Sequence, residues 1–216
     1  MLRRLLSWEQ SPRIACGTVV TLTAVTGYTF FNRLPVAKRA LVPLVPILDD
    51  LPVWPWTVVT YAALYPFVAL SISLLRDAPA ARRAAVAWVT GVTLGYVVFA
   101  LWPTRIERAP VPSGAFLSWL LEFLRTLDEP HTCFPSLHVT HCVLGLWVAW
   151  ATRWRWWFFV GSIVITASTL TTDQHYFLDL PSGALVGVLG IALSRGLPYK
   201  GSGDARSDRK VEETRS

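Results

Sequence analysis

Residues 131–151 read HTCFPSLHVTHCVLGLWVAWA: reactive side chains crowd the first half, and the second half is almost wholly apolar. Pro135 suits the first turn of a helix, where its missing N–H costs nothing. The apolar remainder approaches the roughly 20 residues that a bilayer requires of a helix. This is the pattern of a membrane helix that holds its chemistry at one end, so the fold depends on how many such helices accompany it.

Apolar stretches of comparable length run over 14–31, 53–75, 84–101, 135–151, 156–170 and 177–197. A chain of 216 residues that is 53% hydrophobic, with mean hydropathy +0.42 and 11 tryptophans, is too apolar for an ordinary soluble domain. The pattern predicts an all-α fold, a six-transmembrane-helix bundle forming one domain over residues 1–198, followed by a polar, disordered cytoplasmic tail over 199–216. The first stretch follows Arg3, Arg4 and Arg13 and lacks a small-x-small cleavage site, which reads as a retained signal anchor. Trp54, Trp56, Trp102, Trp150, Trp154, Trp156 and Trp157 cluster at the proposed span ends, where an amphipathic ring fits the interface.

A net charge of +6 raises the question of nucleic acid, but the basic residues sit in small groups at the ends of apolar stretches, a placement suited to anionic lipid headgroups. Fourteen of the 20 lie on the side that holds both termini, among them Arg76, Arg82, Arg83, Arg153 and Arg155 in short loops. By the positive-inside tendency the termini are cytoplasmic in the cell membrane. Between the third and fourth spans, Phe116, Leu117, Leu120, Leu121 and Leu124 recur at helical spacing, predicting a short helix in the outer interface. Cys16, Cys133 and Cys142 fall in different environments and imply no disulfide framework.

In this topology the fourth and sixth spans both begin on the outer face. Two helix N-termini there would offer unpaired N–H groups and positive dipole ends to an anion such as a phosphate. His175 and Asp179 are four apart, so on a helix they share a face, and a carboxylate holding one ring nitrogen leaves the other free as a nucleophile. His138, a turn inside the fourth span, is placed to protonate a departing oxygen. Arg105 and Arg108 close the third span on the same side, where guanidinium groups grip phosphate oxygens. Plainer readings exist for each: interfacial histidines, a capping Asp179, Ser136 as a helix N-cap, and snorkelling arginines. Their convergence on one face favours chemistry.

Three stretches, PTRIERAP, CFPSLH and STLTTDQHYFLD, resemble in order and spacing the motifs of the type 2 phosphatidic acid phosphatase superfamily. The middle motif, Pro-Ser-x-x-His, matches at Pro135, Ser136 and His138. The third matches at Ser168, His175 and Asp179, with Thr169 where Arg is usual. The first survives as Arg108, with Leu101 at the usual Lys position and Ala109 before Pro110. The segment DDLPVWPW before the second span also looks like the inositol phosphorylceramide synthase-like branch. The resemblance implies a six-helix core and a metal-independent, cofactor-free phosphoryl transfer from a lipid phosphate or diphosphate. In that scheme His175 attacks phosphorus, Asp179 orients it, and His138 protonates the leaving group. Arg108, Ser136 and, by proximity, Arg105 hold the phosphate. Such a pair of imidazoles implies activity that peaks between two apparent pKa values. Water as acceptor makes a hydrolase; an alcohol makes a phosphotransferase.

Two other classes compete. His131, Cys133, His138, His141, Cys142 and His175 include the i,i+3 and i,i+4 spacings of metal or haem ligands. Against a metal, His141 and Cys142 lie deeper than His175 reaches, and the arginines are left without a purpose. Alternatively the same residues bind a lipid headgroup without breaking a bond, as in a transporter. No residue pattern points to nucleic acid, and the identity of the lipid and the oligomeric state are not encoded in any motif.

Overall fold

The computed structural model of the chain describes residues 11–195. The tail expected over 199–216 and, of the 1–198 domain, residues 1–10 and 196–198 lie outside the described residues. Among the described residues the architecture is mainly helical. Helix α1 (Ser11–Arg33) leads to a two-residue strand β1 (Ala40–Leu41), then α2 (Val58–Ala62), α3 (Leu64–Ser73) and α4 (Ala78–Leu101). Strand β2 (Thr104–Arg105), the short α5 (Ser118–Leu127), α6 (Leu137–Ala149), α7 (Arg155–Thr171) and α8 (Asp179–Ser194) follow.

Helical segments occupy all six apolar stretches. Ser11–Arg33, Pro55–Ser73 and Ala78–Leu101 are long and apolar enough to cross a membrane, whereas Leu137–Ala149 and Asp179–Ser194 are shorter apolar helices. At 1.5 Å per residue a 13-residue helix covers only about 20 Å of a roughly 30 Å core. The second stretch is not one continuous helix. A 3-10 turn at Pro55–Thr57 precedes α2, and α3 restarts after Ala63. Pro66 explains the break, since its ring has no N–H to donate and crowds the carbonyl of Ala62 four residues back.

Helix α4 is the hub, packing along α8 and α1, and α6 fills the space between α8, α7 and α3. The main core joins Cys16 and Val20 of α1, Trp88 and Val92 of α4, Leu137 and Leu144 of α6, and Ile191 of α8. The α4–α8 contact is close because of Gly190: a Cβ there would stand 2.5 Å from the Ala87 carbonyl oxygen. Large apolar side chains such as Leu22, Val25, Phe30, Trp157, Val160, Leu185 and Leu193 are exposed on the outside of the bundle. An apolar exterior of this extent over polar loops is the surface of a membrane protein.

At one end the loops form their own layer. Strands β1 and β2 pair in parallel, Ala40 with Thr104 and Leu41 with Arg105, and Arg105 bridges to His131. Apolar periodicity gives no sign of this pairing; it satisfies backbone groups of connections that are partly buried. Val42, Ile106, Cys133 and Tyr176 form a small core beneath it. Helix α5 lies where a short helix was expected; of the apolar stripe that predicted it, Leu121 is buried, Leu117, Leu120 and Leu124 are half-buried, and Phe116 is exposed. Ser118 and Leu121 are buried and Arg125 is partly so, while Trp119, Phe123 and Leu127 point outward.

Candidate active site

The loop layer and the starts of α6 and α8 enclose all but one of the residues singled out by the sequence, Arg105 being the exception. Ser136 is the N-cap of α6: its hydroxyl accepts from the Val139 N–H at 3.4 Å, and it is fully buried. Its own N–H donates to the Asp179 carbonyl at 3.0 Å, which locks the start of α6 to the start of α8. The Thr140 hydroxyl donates to the Gly183 carbonyl at 2.9 Å one turn further along. Such an approach requires glycine at 183, because a Cβ there would lie 2.2 Å from the Ser136 carbonyl oxygen.

The His175–Asp179 pair forms, though not on a helix face. Asp179 is the first residue of α8, and His175 sits in the turn before it. The N–H groups of Gln174 and His175 both donate to the Thr169 carbonyl, and Asp173 takes the left-handed conformation with φ 53°. This tight turn, and not helical register, brings His175 Nδ1 to 3.0 Å from Asp179 Oδ2. The same carboxylate oxygen accepts the Tyr176 N–H at 3.0 Å. An Nδ1 facing a carboxylate is the protonated nitrogen, which leaves Nε2 with its lone pair. Asp179 Oδ1 is buried without a partner.

His138 meets His175 edge to face, with ring centroids 5.8 Å apart and planes at 65°. Tyr61 of α2 stacks on its other side at 4.1 Å, a contact for which the apolar pattern around Tyr61 gave no signal. His138 Nε2 is buried and has no hydrogen-bond partner. Two imidazoles from separate helix starts therefore share one small space.

Arg108 is brought to this space by the loop it belongs to. The Tyr176 hydroxyl donates to the Glu107 carbonyl and accepts the Glu107 N–H, both at 3.0 Å, and the Ala109 N–H donates to Asp173 Oδ2 at 2.5 Å. Arg108 itself donates to the Asp128 carbonyl at 2.6 Å and lies 3.6 Å from the Asp128 carboxylate, with its side chain 9% exposed. Tyr28 of α1 donates to the other Asp128 oxygen at 2.5 Å. Burial raises the Asp128 carboxyl above its ordinary range, against the Tyr28 hydrogen bond and the charges of Arg108 and His175, which lower it. Arg105 goes elsewhere: it pairs with Glu107 at 3.2 Å, is 43% exposed, and lines a second cavity with Arg39 and His131.

The remaining metal-type residues are dispersed. His141 Nδ1 accepts from Trp88 Nε1 at 2.9 Å, deep in the bundle, and the three cysteines are free and buried. Among the described residues no group of three or more His, Cys, Asp or Glu is gathered as a metal would require.

Fold and site together define a helical membrane protein with a buried pair of imidazoles, one braced by a carboxylate, and one guanidinium, Arg108, on the loop tied to the same turn. Residues 46–193 match the sequence model of the PAP2 superfamily, and the chain belongs to that superfamily. This places it among phosphatase- and phosphotransferase-type enzymes of lipids. No curated protein and no solved structure is a significant match to the chain.

Proposed function

We propose that the protein is an integral membrane lipid phosphatase that hydrolyses a lipid phosphate or diphosphate through a phosphohistidine intermediate. The observation that carries the reading is the contact of His175 Nδ1 with Asp179 Oδ2, which leaves Nε2 as the attacking atom next to His138. Asp179 stabilises the imidazolium that forms as the N–P bond is made and the P–O bond to the lipid breaks. His138 gives its proton to the leaving oxygen and then takes one from the incoming water, which splits the N–P bond. Arg108 meets the charge on the phosphoryl oxygens, and the N-termini of α6 and α8 add their dipoles. No step calls for a metal or cofactor. Six crossings, cytoplasmic termini and a site at the outer face complete the reading, supported by the six apolar helical segments and the basic short loops.

A second reading, transfer of a phospho-head group to an alcohol as in inositol phosphorylceramide synthase-like enzymes, is favoured by burial. His175 is 8% exposed and Asp179 fully buried, so bulk water has limited access. The test is release of inorganic phosphate from short-chain phosphatidic acid or a prenyl diphosphate in detergent, in excess EDTA, with and without an alcohol acceptor. Wild-type protein is expected to turn over and His175→Ala to be inactive yet folded. An active His175→Ala protein would end the covalent scheme, and loss of all activity on chelation would favour a metal. A product that appears only when the alcohol is added would select the transferase.

A further inference from the structure

Thr169, fully buried in α7, occupies the position where the family resemblance implies an arginine, so Arg108 alone is left from the motifs to hold a dianion. The fold brings a second guanidinium from an unrelated place. Arg125 is on α5, whose Trp119, Phe123 and Leu127 face outward, yet its own side chain turns inward and is only 12% exposed. It donates through Nη1 to the Ala109 carbonyl at 2.6 Å and through Nη2 to the Thr172 carbonyl at 2.9 Å. Ala109 follows Arg108, and Thr172 precedes His175 by three residues. Arg125 therefore bridges the loop of the known-type phosphate ligand and the loop of the nucleophile.

Arg125 holds the carbonyl of Ala109, the residue next to Arg108, so the two guanidinium groups belong to one tied loop cluster. Burial lowers the Arg125 pKa, the Asp173 carboxylate opposes this, and the charge of Arg108 lowers it further. Each is held by a carboxylate at 3.6 Å, Arg108 by Asp128 and Arg125 by Asp173, which is longer than a hydrogen bond. The Nε atoms of both are buried and unpartnered. Two largely buried cations with loose counter-ions and spare donors are an arrangement that an incoming phosphate improves, by adding two negative charges and several acceptor oxygens.

We infer that Arg125 is a phosphate-binding residue that, together with Arg108, cradles the substrate phosphate in place of the arginine missing at 169. The inference rests on the phosphoryl-transfer reading above and names a residue that none of the three motifs supplies. The ligand class is a phosphomonoester or the terminal phosphate of a diphosphate.

The experiment measures inhibition of the full-length protein in detergent by inorganic phosphate, together with kcat, KM and melting temperature, for wild type, Arg125→Gln and Arg125→Lys. Loss of charge-assisted hydrogen bonds is expected to weaken the phosphate inhibition constant about 10- to 100-fold in Arg125→Gln. Arg125→Lys, which keeps the charge but not the fork, should weaken it by a smaller factor of about 3 to 10. A residue that merely ties the two loops would change melting temperature and kcat while leaving phosphate affinity unaltered. Unaltered affinity in either variant that folds overturns the inference. Wild-type protein that neither turns over lipid phosphates nor responds to inorganic phosphate would instead remove the functional reading on which it stands.

Discussion

The carboxylate of Asp179 lies 3.0 Å from His175 Nδ1 and accepts the Tyr176 N–H with the same oxygen, at a side chain with no solvent exposure. One atom thus fixes both the tautomer of the imidazole and the turn that carries it. Asp179→Asn removes the charge and can present an amide N–H to Nδ1, which would favour the wrong tautomer. In the proposed mechanism turnover should fall by about 10²- to 10⁴-fold with little change in KM, as for analogous His–Asp pairs. Single-turnover and steady-state kinetics in detergent test this, and near-normal kcat would deny Asp179 its orienting role.

The joint between α6 and α8 depends on the absence of a side chain at 183. In Gly183→Ala the new methyl would meet the Ser136 backbone at 2.2 Å, and backbone cannot swing aside as a flexible side chain does. The helix starts must separate, at a cost of about 1–3 kcal/mol for overpacking. Because each start carries one imidazole, activity should drop by about 10²-fold or more even where folded protein is recovered. A melting curve and kcat on the same preparation distinguish the two effects. Full activity would mean that the spacing of the two helix starts does not limit the reaction.

His141 provides the contrast. Its Nδ1 accepts from the Trp88 indole at 2.9 Å inside the main core, and it shares α6 with His138 without joining the His138–His175 pair. His141→Ala leaves a buried N–H unpaired, which costs about 1–3 kcal/mol. The expected outcome is a lowered melting temperature, followed by tryptophan fluorescence, with most turnover retained per folded molecule. Complete inactivation of folded His141→Ala would show that the reaction uses this imidazole too.

How far these features could be read in advance differs from one residue to the next. Pro135, Ser136, His138, His175 and Asp179 stand in ordered, closely spaced motifs, and local spacing is what a linear pattern records. The apolar stretches likewise fixed where helices form, although Pro66 broke one that hydropathy alone makes continuous. Arg125 and Asp128 were not legible as site residues, because amphipathic periodicity assigns charged positions of an interfacial helix to solvent. Here Ser118, Leu121, Arg125 and Asp128 recur three and four apart and make the inward face, while Trp119, Phe123 and Leu127 take the apolar surroundings. Which face of α5 is inner is decided by loop contacts distant in sequence, such as Arg125 with Thr172. The same holds for Arg105, three residues from Arg108 but committed to Glu107 and the β pairing.

Asp128 links this inward face to pH. Its carboxyl is raised above the ordinary carboxylate value chiefly by burial, with the Tyr28 hydrogen bond and the Arg108 charge working in the opposite direction. A carboxyl whose folded pKa exceeds its unfolded one binds a proton more tightly in the native state. Its favourable contribution is therefore complete below the unfolded value and is lost as pH rises through the folded value. As pH rises above the ordinary carboxylate value, the wild-type melting temperature should carry a downward contribution that Asp128→Asn lacks. The amide also leaves Arg108 without its counter-charge, so at neutral pH the variant should bind inorganic phosphate with altered affinity while Tyr28 keeps an acceptor. Melting curves taken across that rise in pH for both proteins decide the matter: parallel curves would mean that Asp128 titrates alike in the folded and unfolded chain, and that burial does not govern it.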